Sequence, residues 1–103
     1  MKVRDDSKSV AARRERSLYE AIVTLRSVEE CQSFLRDLCT PAELQALADR
    51  WCAALLLRDD VAYRDIYERT GVSVTTVGRV ARTMRDGQGG YALALSRTAK
   101  RNG

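Results

Sequence analysis

The segment around Gly71 constrains the fold most, because this glycine separates two short stretches whose apolar residues follow a helical spacing. Two short helices that cross steeply through a tight turn need a residue that adopts positive φ, and glycine does so without steric cost. The second stretch has apolar residues at positions i, i+3, i+4 and i+7, which share one helical face. These residues are Val77, Val80, Ala81 and Met84. We therefore predict a helix-turn-helix at about residues 63–84.

Apolar periodicity and capping signals predict four further helices. One runs from about Ser9 to Leu25, and a capping box of Ser27 and Glu30 opens the next. Thr40-Pro41 begins a third helix, which extends to about Arg58, and a last helix covers about Tyr91 to Thr98. No strand pattern or internal repeat is present, so the predicted fold class is all-α with six helices.

The domain organisation follows from length and patterning. Residues 1–8 lack an apolar pattern and are predicted to be a disordered tail, residues 9–98 a single helical domain, and residues 99–103 a basic tail. Within the domain, the helix of residues 41–58 is apolar on more than one side, so it must be covered on more than one side. In a chain of 103 residues a homodimer explains this pattern, and burial within one chain is the alternative.

The positive charge lies at the two ends of the chain. The net charge is +4, with +3 over residues 1–16, −2 over residues 17–58 and +3 over residues 59–103. This distribution suits a polyanionic partner, although basic ends can also serve solubility alone.

The face of the second short helix opposite its apolar residues is suited to a major groove. Threonine hydroxyls and methyl groups can contact bases, arginine can bind guanine or phosphate, and the free amides at the helix start can bind a phosphate. An ordinary helical hairpin with a solvated face is the alternative, and a bulky Tyr67 stands where such motifs usually have a small residue. We predict that double-stranded DNA is the partner and that the contacts are made by Tyr63, Arg64, Ser73, Thr75, Thr76, Arg79 and Arg82.

Several other classes of protein are disfavoured. Three cysteines at unrelated spacings and no histidine argue against a disulfide framework and a structural metal site. No paired carboxylates on one face and no glycine-rich phosphate loop are present, so we do not expect an enzyme. No signal peptide or long apolar run is found, which predicts a cytoplasmic protein without a membrane partner.

Six stretches between residues 18 and 80 carry a family resemblance. They read LYEAI (18–22), VEEC (28–31), DLCT (37–40), ELQALADR (43–50), TGVS (70–73) and TVGRV (76–80). On these residues the sequence resembles the bacterial Trp repressor superfamily, and most closely its YerC/YecD branch. The resemblance implies an intertwined homodimer whose first three helices and last helix form a shared core. It also implies a transcriptional repressor that binds a palindromic operator, with recognition helices roughly 34 Å apart.

The resemblance also bears on a corepressor. In the Trp repressor, tryptophan lies between two arginines, which correspond to Arg50 and Arg79. The repressor has a glycine directly after the second arginine, whereas this chain has Val80, whose side chain should crowd an indole. We therefore expect no cofactor and do not expect L-tryptophan as corepressor. Another small molecule is one alternative; otherwise Arg50 is an ion-pairing residue and Arg79 a DNA contact.

Two classes of function are consistent with the sequence. The leading hypothesis is a sequence-specific DNA-binding transcriptional regulator that acts as a homodimer. The alternative is a helical protein-interaction module that does not bind DNA specifically.

Overall fold

The computed structural model describes residues 3–99, and the side chains of residues 7–98. Within that range all six elements are α-helices and no strand is found, which confirms the predicted all-α fold class. The helices are α1 (Val3–Ile22), α2 (Val28–Leu38), α3 (Pro41–Arg58), α4 (Tyr63–Thr70), α5 (Val74–Asp86) and α6 (Gly90–Ala99).

Contacts between residues divide the chain into two compact units. The first ends at Thr40 and contains α1 and α2, and the second begins at Pro41 and contains α3 to α6. The single domain predicted over residues 9–98 spans both units.

Helix α1 is longer at its start than the sequence pattern indicates. Its predicted start lay near Ser9, but residues 3–8 continue the helix back to Val3. Once a helix has nucleated, each further residue adds a hydrogen bond at low cost, so a segment without an apolar face can still extend it. The helix ends at Ile22, short of the predicted Leu25, where the Thr24 and Leu25 amides donate to carbonyls three residues back instead of four. The rest of the predicted tails, residues 1–2 and 100–103, lies outside the described residues.

Helix α2 begins after Ser27, where the capping box is predicted, but only the serine half forms as predicted, because Glu30 accepts from the Arg26 amide instead of the Ser27 amide. The Ser27 Oγ accepts a hydrogen bond from the Glu30 amide at 3.1 Å, and the Glu30 carboxylate accepts one from the Arg26 amide at 2.8 Å. None of the α2 residues is fully buried. Large apolar side chains of the first unit are exposed at Tyr19, Ile22, Val23, Val28 and Leu38.

The core of the second unit lies where α3 and α4 pack on α5. Two adjacent small residues of α3, Ala53 and Ala54, are fully buried and let its backbone approach α5 closely. The predicted apolar face of α5 is confirmed, since Val77 and Val80 are buried and Met84 packs against them. The buried core residues are Ala53, Ala54, Ile66, Val72, Val77 and Val80.

The second unit also includes the C-terminal end of α3 and the helix α6, which packs against α3. Helix α3 stops before Asp60, whose φ of 61° lies in the left-handed region that aspartate tolerates better than most residues. Helix α6 returns to α3, where the Tyr91 ring stacks on the Trp51 ring with centroids 6.5 Å apart. Leu95 of α6 is also buried.

Candidate DNA-binding site

The turn between α4 and α5 has the geometry that the glycine predicts. Gly71 adopts φ 81°, and its amide donates to the Tyr67 carbonyl at 2.8 Å, which closes the C-terminus of α4. Thr70, which the sequence reasoning did not single out, also stabilises the turn. Its hydroxyl donates to the Ile66 carbonyl at 2.6 Å and accepts from the Val72 amide at 3.0 Å. A threonine directly before the turn glycine is the sequence feature that could have indicated this role of Thr70.

Helix α5 begins at Val74, and Ser73 caps it. The Ser73 Oγ accepts from the Thr76 amide at 3.1 Å and donates to the Thr76 hydroxyl at 3.0 Å. The Ser73 hydroxyl is therefore committed to the cap, whereas the Thr76 hydroxyl keeps its own proton to donate. The amides of Val74 and Thr75 precede the first intrahelical hydrogen bond, so they are available to an anion.

The outer face of α5 is exposed and basic. Thr75, Arg79 and Arg82 lie on it, all solvent-exposed. Among the described residues, neither arginine has an ion-pair partner, whereas Arg85 pairs with Asp86 at 3.3 Å. The acid at the end of this face is thus paired with Arg85, which leaves Arg79 and Arg82 to contact an external anion.

Helix α4 contributes two of the predicted residues, Tyr63 and Arg64, at its first turn. Both are exposed, and Arg64 has no ion-pair partner in the part of the chain that the structure describes. A methyl group built on Gly78 of α5 would lie 3.8 Å from Tyr63 Cε2, so the Tyr63 ring packs beside the α5 backbone. Tyr67, the bulky residue where such motifs usually have a small one, is 51% exposed.

The two arginines that could hold a small ligand lie on α3 and α5. Arg50 is half-buried, and none of the described residues forms an ion pair with it, so the structural role considered for it is not seen. Val80, the residue that should crowd an indole, is 1% exposed and belongs to the core.

A comparison with protein families decides the identity. A family model described as Trp repressor protein matches residues 14–99, most of the chain. The chain belongs to the Trp repressor family. The matched range includes every predicted interface residue from Tyr63 to Arg82. Trp repressors are DNA-binding regulators with a helix-turn-helix, and they are not a family of enzymes. This agrees with the class of protein predicted from the sequence.

Individual relatives support the same assignment. The chain is 41% identical over 80 residues to the uncharacterised protein YerC of Bacillus subtilis, a match that covers 78% of this chain and 77% of YerC. It is also similar to the crystal structure of a TrpR-like protein from Eubacterium eligens, with 36% identity, a TM-score of 0.77, and coverage of 82% of this chain and 87% of the other.

A third relative is a crystal structure from Staphylococcus aureus described as a candidate Trp repressor. It has 36% identity and a TM-score of 0.78, and the match covers 82% of this chain and 84% of that one. These findings confirm the predicted YerC-type member of the Trp repressor superfamily.

Among the described residues, no three His, Cys, Asp or Glu side chains come together as a metal site. No helix in that part of the chain combines the length and apolar character needed to cross a membrane.

Proposed function

We propose that this protein is a sequence-specific transcriptional repressor that binds a palindromic operator as a homodimer. The observation that carries the proposal is the outer face of α5. It presents exposed threonine side chains, and arginines with no ion-pair partner among the described residues, on the second helix of a helix-turn-helix in a chain of the Trp repressor family.

The residues of this face divide by chemistry into base contacts and phosphate contacts. Thr75 and Arg79 lie in the first half of α5, the part that reads base edges when such a helix enters the major groove. Arginine at such a place binds guanine O6 and N7 with two hydrogen bonds. Arg82, one turn further along α5, and Arg64, at the start of α4, are placed to hold phosphates on either side of the groove. The free amides at the start of α5 supply another phosphate contact.

The homodimer is part of the proposal because large apolar side chains of the described residues are exposed in the single chain. Helix α2 has no buried residue, and Leu47 of α3 and Leu93 of α6 are exposed. The large apolar side chains of the first unit named above are exposed as well. Exposed apolar surface on this scale is typical of a protein interface. Sedimentation equilibrium should give about twice the chain mass of 11.5 kDa. A mass that stays at 11.5 kDa over a 100-fold concentration range would contradict the dimer.

The proposal does not include L-tryptophan. Val80 fills core space directly after Arg79, where the Trp repressor has a glycine, so an indole ring has less room above the arginine. We therefore expect operator affinity to be the same with and without saturating L-tryptophan. A tryptophan-dependent rise in affinity would show that the pocket accommodates the indole despite Val80.

The function is tested with an operator enriched by the protein from a pool of random duplexes. Fluorescence anisotropy then measures Kd at several salt concentrations for the wild type and three single variants. Arg79→Ala should lower the ratio of specific to non-specific affinity by roughly 5- to 150-fold, because a bidentate base contact contributes about 1–3 kcal/mol. Arg64→Ala should weaken all duplexes equally and reduce the slope of log K against log salt by about 1.

Arg97→Ala is the matched control, since it removes the same charge from an exposed position on α6. It should leave the specificity ratio unchanged. A wild-type protein whose binding is undetectable or independent of salt would refute DNA binding. Stoichiometric capture of one protein partner without specific DNA binding would instead favour the interaction-module alternative.

A further inference from the structure

The interior of α5 contains a glycine that the packing within the chain does not require. Gly78 is the fifth residue of a 13-residue helix, where glycine is a poorer helix former than alanine. Among the described residues, a methyl group at this position would come within 4 Å of Tyr63 Cε2 alone, at 3.8 Å, which is an ordinary van der Waals contact. The backbone of Gly78 has ordinary helical geometry, unlike the positive-φ glycines Gly71 and Gly89. No contact among the described residues therefore accounts for the missing side chain.

The surroundings of Gly78 indicate what approaches it. The next residue, Arg79, and the residue one turn later, Arg82, are exposed arginines without ion-pair partners among the described residues. Cε2 of Tyr63 is bonded to the ring carbon that bears the hydroxyl, so this hydroxyl lies two bonds from the ring atom nearest Gly78, more than 4 Å from the methyl position itself. Two free cations, a hydroxyl donor and a bare stretch of helix backbone therefore border one small notch.

We propose that the notch formed by Gly78 and Tyr63 receives one phosphate of the DNA backbone, with the Tyr63 hydroxyl donating a hydrogen bond to it. Glycine at 78 lets the sugar-phosphate backbone come closer to α5 than any side chain would permit. This inference rests on the proposed function and adds to it a positioning site, which sets how deeply α5 enters the groove. Glycine at position 78 lowers the stability of α5 relative to alanine, and it permits the contact with the DNA backbone.

The test uses Gly78→Ala with a matched control, Gly90→Ala. Gly90 is the first residue of α6, and a methyl group there would have no heavy atom within 4 Å. Both variants should melt at a higher temperature than the wild type, Gly78→Ala by roughly 2–8 °C, because alanine favours the helix. Only Gly78→Ala should bind the enriched operator more weakly, by at least about 5-fold.

A second pair of variants tests the hydroxyl. Tyr63→Phe keeps the ring beside Gly78 and removes one neutral hydrogen bond, which should weaken operator binding roughly 2- to 12-fold. Its salt slope should equal that of the wild type, since no charge is lost. Tyr67→Phe, one turn further along α4, is the control and should bind as the wild type does. In Gly78→Ala/Tyr63→Phe, affinity should match that of Gly78→Ala alone, because a filled notch already keeps the phosphate from the hydroxyl.

Three results would overturn the inference. A Gly78→Ala variant that is less stable than the wild type would mean that internal packing requires the glycine. A more stable variant with unchanged operator affinity would show that nothing approaches the notch, and the proposed function would stand without it. Failure of the wild type itself to bind DNA would refute the proposed function, and the notch with it.

Discussion

Gly71 allows the cost of the turn to be measured by a single substitution. Gly71→Ala leaves every described contact of the turn intact, because a methyl group at Gly71 has no heavy atom within 4 Å. The hydrogen bond from the Gly71 amide to the Tyr67 carbonyl also remains possible. The change in stability therefore comes from the backbone alone. At φ 81° a residue with a Cβ is disfavoured by about 1–2 kcal/mol.

Gly90→Ala isolates this cost because it shares the other effects of the substitution. Alanine restricts the unfolded chain in both variants, which alone stabilises the folded state by about 0.4–1 kcal/mol. Gly90 has ordinary φ and open space, so its variant should be more stable than the wild type. The free energies of unfolding of the two variants should then differ by about 1–2 kcal/mol, with Gly71→Ala the less stable.

The assay is urea unfolding followed by helical circular dichroism at one fixed protein concentration, since association couples stability to concentration. The two variants should share one m-value, so that the shift in midpoint reports stability. Gly71→Asn should lose less than Gly71→Ala, because asparagine tolerates the left-handed region. Equal stability of Gly71→Ala and Gly90→Ala would refute the left-handed turn.

Three further predictions concern packing, capping and ionisation. Val77→Ala should lower the free energy of unfolding by about 2–3 kcal/mol because Val77 is fully buried. Val74 is exposed on the same helix, so Val74→Ala should change the free energy of unfolding by less than about 0.5 kcal/mol. Equal losses for the two variants in urea unfolding would contradict the packing of Val77. Ser73→Ala should cost about 1 kcal/mol in the same assay because the cap of α5 is lost, and an unchanged midpoint would show that the cap is not used. The pKa of Tyr19 is raised above 10.0, first because its hydroxyl donates to the Glu15 carboxylate, with smaller effects of desolvation and of the Glu15 charge. In Glu15→Gln the acceptor is neutral, so the Tyr19 pKa should fall toward 10.0 in an NMR titration of the ring carbons, and a pKa that does not move would exclude this hydrogen bond as its cause.

The main features of the second unit could be predicted from the sequence because they depend on local interactions. Gly71 and the apolar spacing of α5 predicted the turn and its buried face, and Pro41 marked the start of α3, because each signal acts through a few neighbouring bonds. The start of α1 was misplaced since residues 3–8 extend an existing helix without any apolar pattern of their own.

The site was less predictable because its details depend on contacts between helices. Periodicity placed Thr75, Arg79 and Arg82 on the exposed face of α5, as found. It could not show that the Tyr63 ring packs beside Gly78, because the crossing of α4 and α5 decides which side chain of α4 meets the other helix. The breadth of apolar surface on α3 predicted that a second surface must cover it, but the identity of that surface cannot be read from one chain.

The central claim is that the exposed face of α5 reads DNA sequence, and the affinity ratio between two duplexes tests it most directly. One duplex is the operator enriched from the random pool, and the other has the same base composition in scrambled order. At one salt concentration near the physiological value, the account predicts that the operator binds at least about 1,000-fold more tightly. Equal affinity for the two duplexes would contradict it.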